Sequence, residues 1–190
     1  MTQWTRENSR AFMPYPDCDV PHAESGPLAG LTFSVKDMFD VAGFPTSAGS
    51  PTMLAASGIK TKTACAVQQL LDAGARFIGK AVTDELAFSV IGNNAHFGIP
   101  VNGAAPERYA GGSSSGSASS VSCGLCDFSL GTDSGGGDPY EAPLVNAGCS
   151  AFVRASVVSL WKAVSACARR LTRPAFWRPI LTCLSAQRPF

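Results

Sequence analysis

From residue 151 to 190 the chain contains no aspartate or glutamate, although seven lysines and arginines fall there. Residues 1–150 hold eight Lys+Arg against fourteen Asp+Glu, so the balance changes from −6 to +7 along one chain of 190 residues. Parts of one folded domain rarely differ this sharply. Long apolar runs are also missing: Arg154 and Lys162 interrupt the best stretch, residues 151–168. That is short of the roughly 18 uninterrupted apolar residues a membrane helix needs, so no membrane partner is expected. The opening residues 1–8 have no apolar stretch of the kind a secretory leader uses. The seven cysteines are odd in number and irregular in spacing, which suits free thiols in a reducing cytoplasm rather than a disulfide framework. What remains is ample for a core, with 45% apolar and 15% charged residues.

Residues 1–27 are polar and Pro-containing and read as a lead-in. Leu31, Phe33 and Val35 alternate with Thr32 and Ser34, which predicts a strand over 31–35 ending at Lys36. Residues 63–73 read as a helix, with Val67, Leu70 and Leu71 on one face and Gly74 placed as a C′ glycine. Residues 77–82 read as a buried strand. Thr83 is placed to cap a helix beginning Asp84-Glu85. This alternation of strand and helix argues an α/β fold.

Residues 111–120 have the composition of a flexible linker. Ala118, Val121 and Leu125 instead suggest that the run feeds a helix. A strand over 128–130 then leads into a second glycine turn, residues 131–137. Two glycine turns at element boundaries, with a lysine at a strand end, suggest a backbone-lined site for acyl transfer. A serine nucleophile needs a base, and closely approaching backbone N–H groups can hold an oxyanion.

Gly112-Ser113-Ser114-Ser115-Gly116 fits the nucleophile-elbow pattern, with Ser114 as nucleophile. That fold places its histidine after the serine. His22 and His96 both precede it, and the preferred reading for both is an ordinary surface or packed residue. Lys36 is the other candidate base; burial would disfavour its ammonium form and free the amine to take a proton.

Three segments, in this order, resemble the amidase signature family: Leu31-Thr32-Phe33-Ser34-Val35-Lys36-Asp37, Gly111-Gly112-Ser113-Ser114-Ser115-Gly116-Ser117-Ala118 and Gly131-Thr132-Asp133-Ser134-Gly135-Gly136. Residues 83–89 and 94–98 look most like its indole-3-acetamide hydrolase branch. The resemblance covers about residues 28–136. It implies the N-terminal portion of the amidase fold, a mixed β-sheet flanked by helices, here incomplete. It implies a Ser–cis-Ser–Lys hydrolase acting on a small-molecule amide, an aryl-acetamide by resemblance, without metal or other cofactor. Lys36 matches the base. Ser113 matches the bridging serine that follows a cis peptide bond. Ser134, Gly135 and Gly136 match the oxyanion-hole positions. The nucleophilic serine of the family closes the second turn, and that position here is Gly137.

Beyond Gly137 the family pattern disappears, in the same region as the charge break. The genetic code offers an account. If each codon begins at the third base of the present one, Asp138 into Pro139 can spell serine and Tyr140 into Glu141 can spell arginine. Asn146 into Ala147 can spell cysteine, Ala147 into Gly148 can spell glycine, and residues 150–155 can spell Gly-Ile-Arg-Pro-Ser. Residues 136–155 then allow the family's own continuation at all positions but one. The expectation is a frameshift within Gly135–Gly137, dividing the chain into a lead-in (1–27), a partial amidase domain (28–136) and an aberrant basic tail (137–190).

Other readings have less support. Cys123-Gly124-Leu125-Cys126 is a lone C-x-x-C without a second pair, so core-facing thiols are preferred to a zinc site. No phosphate-loop pattern occurs. The tail's Arg154, Lys162, Arg169, Arg170, Arg173, Arg178 and Arg188, with Trp161 and Trp177, would suit an anionic partner. An out-of-frame tail is basic without any such role, so no nucleic-acid partner is expected. The alternative to an amidase is a non-catalytic remnant or a basic-tail binding protein.

Overall fold

The computed structural model describes residues 3–132 and, beyond them, one strand at 152–154. In chain order the elements are α1 (Arg6–Ser9), β1 (Thr32–Lys36), α2 (Pro51–Ser57), α3 (Cys65–Asp72) and β2 (Arg76–Ala81). A 3₁₀ turn (Glu85–Ala87), α4 (Ser115–Ser122), β3 (Phe128–Gly131) and β4 (Phe152–Arg154) follow. The strands form one sheet in the order β2-β1-β3-β4, and every pair is parallel. Parallel neighbours need crossover connections, and helices supply them: α2 and α3 between β1 and β2, α4 between β2 and β3. The fold is a partial α/β arrangement. Among the described strands the mixed character is limited to an antiparallel bridge at the β2 edge, Phe12 with Ala81.

β1 lies in the middle because its alternate residues have partners on both sides of the sheet. Phe33 and Val35 enter an apolar cluster with Val67, Leu70 and Leu71 of α3 and with Phe77, Phe128 and Leu130. The Phe33 ring stacks on Phe128 at 5.5 Å and meets Phe77 edge-on at 5.9 Å. α3 stops as its C′ glycine dictates. Gly74 has φ +94°, and the N–H groups of Gly74 and Ala75 return to the carbonyls of Leu71 and Leu70, each at 3.0 Å.

Tertiary contacts cover both faces of β1. Ser34 and Lys36, opposite Phe33 and Val35, are both fully buried. The second face is covered by α4, whose Ser115, Ser117, Ser119 and Ser120 are themselves buried. Small hydroxyl side chains let this helix lie close to the sheet, so the linker-like composition is that of a packed helix. Thr83 does not cap a helix: its hydroxyl donates to the Ser113 carbonyl at 2.9 Å, and only the short 3₁₀ turn follows.

Residues 11–13 are bound to the β2 edge, with Met13 N–H donating to Lys80 O and Val82 N–H to Ala11 O, both at 2.9 Å. Cys18, Cys123 and Cys126 are free, whereas Cys65 is disulfide-bonded and departs from the free thiols expected. β4 falls within the residues expected to form an aberrant tail, and its backbone extends the sheet beside β3.

Candidate active site

Lys36 is the last residue of β1 and is completely buried. Its Nζ donates to Ser113 Oγ at 2.6 Å and to Thr132 Oγ1 at 2.7 Å. Residues far apart in sequence thus converge at the carboxyl ends of parallel strands, the usual location of sites in open α/β sheets. The Gly112–Ser113 peptide bond is cis.

The turn that presents Ser113 is held from several sides. Its carbonyl accepts from Thr83 Oγ1 at 2.9 Å and from Asp84 N–H at 3.1 Å. Asp84, fully buried, accepts from Gly92 N–H at 3.0 Å and from Ser115 Oγ at 3.3 Å. Gly112 N–H donates to Val90 O at 3.0 Å. A Cβ on Gly112 would run into the Asp84 carboxylate, so glycine is required there by close approach.

Ser114, the elbow candidate, does not act as a free hydroxyl. Its Oγ donates to Thr132 O and accepts from Thr132 N–H, both at 3.2 Å, and so ties the two glycine turns together. His96 faces Glu85 at 3.4 Å on the surface. His22 borders a groove of about 540 Å³ along β2 that neither Lys36 nor Ser113 lines. Ser134, Gly135, Gly136 and Gly137 lie outside the described residues. Cys126 faces Ser34 and Ser120 in the core, and burial pushes its thiol and that of Cys123 up. Among the described residues no group of three His, Cys, Asp or Glu could hold a metal ion.

Sequence reading missed a second buried lysine. Lys80 on β2 lies 2.7 Å from Asp37 Oδ1, with both side chains fully buried. The same ammonium donates to Pro45 O at 3.1 Å and Thr46 Oγ1 at 3.0 Å. Burial pushes the Lys80 ammonium down and the Asp37 carboxylate opposes that. Tyr15 donates to Asp37 Oδ2 at 2.8 Å; burial first, and then this carboxylate, push its phenol up. Thr132 was missed as a partner of Lys36, although it stands within the second glycine turn.

The family model described as Amidase matches residues 9–137. Amidase 1 of Arabidopsis thaliana is 51% identical over 109 residues, covering 57% of this chain and 26% of that protein. The Pisum sativum protein named Translocon at the outer membrane of chloroplasts 64 is 41% identical over 143 residues, covering 72% of this chain and 24% of its own length. The crystal structure of a glutamyl-tRNA(Gln) amidotransferase subunit from Thermotoga maritima superposes with a TM-score of 0.56 at 28% identity, over 64% of this chain and 26% of that one. The chain therefore spans about a quarter of the length of the curated relatives it matches.

These relatives correct one expectation. The cysteine usage and the polar opening residues suggest a cytoplasmic location, yet similar proteins are named for the outer membrane of chloroplasts and the outer envelopes of chloroplasts and mitochondria. Thiol chemistry reports the redox state around a protein and says nothing of the surface to which the protein is attached. No helix among the described residues is long and apolar enough to cross a membrane.

Proposed function

The chain belongs to the amidase family, and on that premise we propose that it carries the base and bridging serine of an amide hydrolase but lacks the nucleophile. The observation that supports this most directly is the 2.6 Å contact from Lys36 Nζ to Ser113 Oγ. In the complete reaction the neutral amine of Lys36 takes the Ser113 proton, while Ser113 takes the proton of the attacking serine. That serine's oxygen bonds to the amide carbon. N–H groups of the second turn at Ser134, Gly135 and Gly136 receive the oxyanion. One proton then passes from the Lys36 ammonium through Ser113 to the leaving nitrogen as the C–N bond breaks and ammonia departs, and water then hydrolyses the acyl-enzyme. Neither metal nor other cofactor enters these steps. The substrate is a small-molecule amide, and an aryl-acetamide is the first to test.

At the nucleophile position stands Gly137, which has no side chain to acylate. The proposed cause is a frameshift within Gly135–Gly137, leaving residues 28–136 as a partial amidase domain after a 1–27 lead-in and residues 137–190 as an out-of-frame tail. Loss of a catalytic serine costs on the order of 10⁶ in kcat in a serine hydrolase. Three proteins assayed on an aryl-acetamide panel test this: the chain as written, Gly137→Ser, and the product of a frame-corrected gene. The first should show no turnover and the second little, because the arginine and core strands that should follow remain missing. The third should turn over and lose activity on Lys36→Ala or Ser113→Ala. Turnover by the chain as written that either of those changes abolishes would overturn the proposal.

A further inference from the structure

Lys36 and Asp37 are neighbours in sequence, and both are fully buried at the end of β1. Asp37 directs its carboxylate to Lys80, Tyr15 and Ser47. We propose that Lys80 is a charge-balancing residue of the Lys36 site: by neutralising Asp37, it removes a carboxylate field that would otherwise hold Lys36 as an ammonium. This rests on the reading of Lys36 as the base.

The Asp37 carboxylate is surrounded by donors: its Oδ2 receives the Tyr15 hydroxyl at 2.8 Å, Ser47 N–H at 2.9 Å and the Ser47 hydroxyl at 2.5 Å. A buried charge is poorly screened, so a neighbouring amine feels it. Lys80 lies directly on Oδ1 at 2.7 Å and cancels it. The charged and titratable groups around this network are Lys36 at the end of β1, Asp37 just after it, Lys80 on β2, Tyr15 from the lead-in and Asp84 before the 3₁₀ turn. Asp40 and Lys60 act on Lys80 from the loop side.

A purely structural role also has a route to the site. Lys80 anchors Pro45 and Thr46, Ser47 Oγ accepts from Gly49 N–H, and Asn94 joins the carbonyls of Gly49 and Thr83. Thr83 in turn holds the Ser113 carbonyl. Geometry alone therefore does not separate the two roles, but the sign of a titration shift does.

The chain has five lysines, which makes lysine side-chain NMR tractable. In the full chain labelled with ¹³C,¹⁵N-lysine, the Lys36 ε-methylene shift is followed against pH, with its assignment fixed by Lys36→Met. Lys80→Met should raise the Lys36 midpoint by about one unit or more, since the buried carboxylate of the adjacent residue is then uncompensated. Asp37→Asn should lower it. The double variant Asp37→Asn/Lys80→Met should return it close to its starting value. Should Lys80→Met fail to fold, the Asp37→Asn shift and the double variant still decide. A midpoint that stays still, or moves the same way in both single variants, overturns the proposal. In the frame-corrected enzyme the acidic limb of kcat/KM should move with the Lys36 midpoint. Titration shifts of the expected sign in an enzyme without turnover would support the charge balance and count against the amidase reading instead.

Discussion

On one face of β1 and β3 the side chains are Phe33, Val35, Phe128 and Leu130; on the other they are Ser34, Lys36 and Ser129, and every one of them is buried. The apolar face packs on α3 with stacked and edge-on aromatic rings. The hydroxyl face lies under α4, where Ser34 Oγ meets Ser120 Oγ at 2.9 Å and Ser129 Oγ at 2.7 Å. Equal burial thus rests on different physics. The first face gains by removing carbon from water; the second avoids loss by pairing each hydroxyl it buries. The hydroxyl face continues to Lys36, Ser113 and Thr132, so the polar interior and the candidate site form one continuous layer.

This comparison can be broken most forcefully on the apolar side. Phe33→Ala should cost about 3–5 kcal/mol in urea unfolding of the full chain, the usual penalty for truncating a buried aromatic ring. Ser34→Ala should cost only about 1–2 kcal/mol, because Ser120 keeps Ser117 O at 2.9 Å and Ser129 keeps Ser34 O at 3.2 Å as acceptors. If the serine change cost as much as the phenylalanine change, the hydroxyl layer would be a source of stability in its own right and the contrast would fail.

The smallest effect concerns Tyr15, at the margin between the two regimes. Tyr15→Phe removes the hydroxyl that donates to Asp37 and should cost about 1 kcal/mol at pH 8. Folding raises this phenol above its unfolded value near 10, so its contribution is complete below about pH 10. It is then lost as pH rises through the folded value. Native Tyr15 should therefore lose its advantage over phenylalanine progressively above about pH 10, seen as a converging pair of unfolding midpoints. A gap that stays constant to the most alkaline pH at which the chain folds would show that Tyr15 does not titrate as its surroundings imply.

Much of this organisation was legible beforehand, for local reasons. α3 falls inside the residues 63–73 expected, because the spacing of Val67, Leu70 and Leu71 and the position of Gly74 are properties of a single helix. β1, β2 and β3 agree with expectation to within a residue at most of their ends. The Lys36–Ser113 pairing was anticipated through motif order and the burial of Lys36 through its reading as a base, whereas nothing local marked Ser34 as buried.

What the sequence determined by itself is therefore β1, α3, β2 and β3 with their apolar faces, the loss of the family pattern at Gly137, and the change in charge balance after residue 150. Each depends on residues a few positions apart, or on the coding relation between adjacent residues. Tertiary structure alone decided that Thr83 supports Ser113 rather than a helix, that Ser114 ties two turns together, and that Asp37 is matched by Lys80. A hydroxyl or a charge has many satisfactory partners, and its type does not specify which one. The choice was made only when parallel pairing brought the ends of β1, β2 and β3 side by side and left these groups without water.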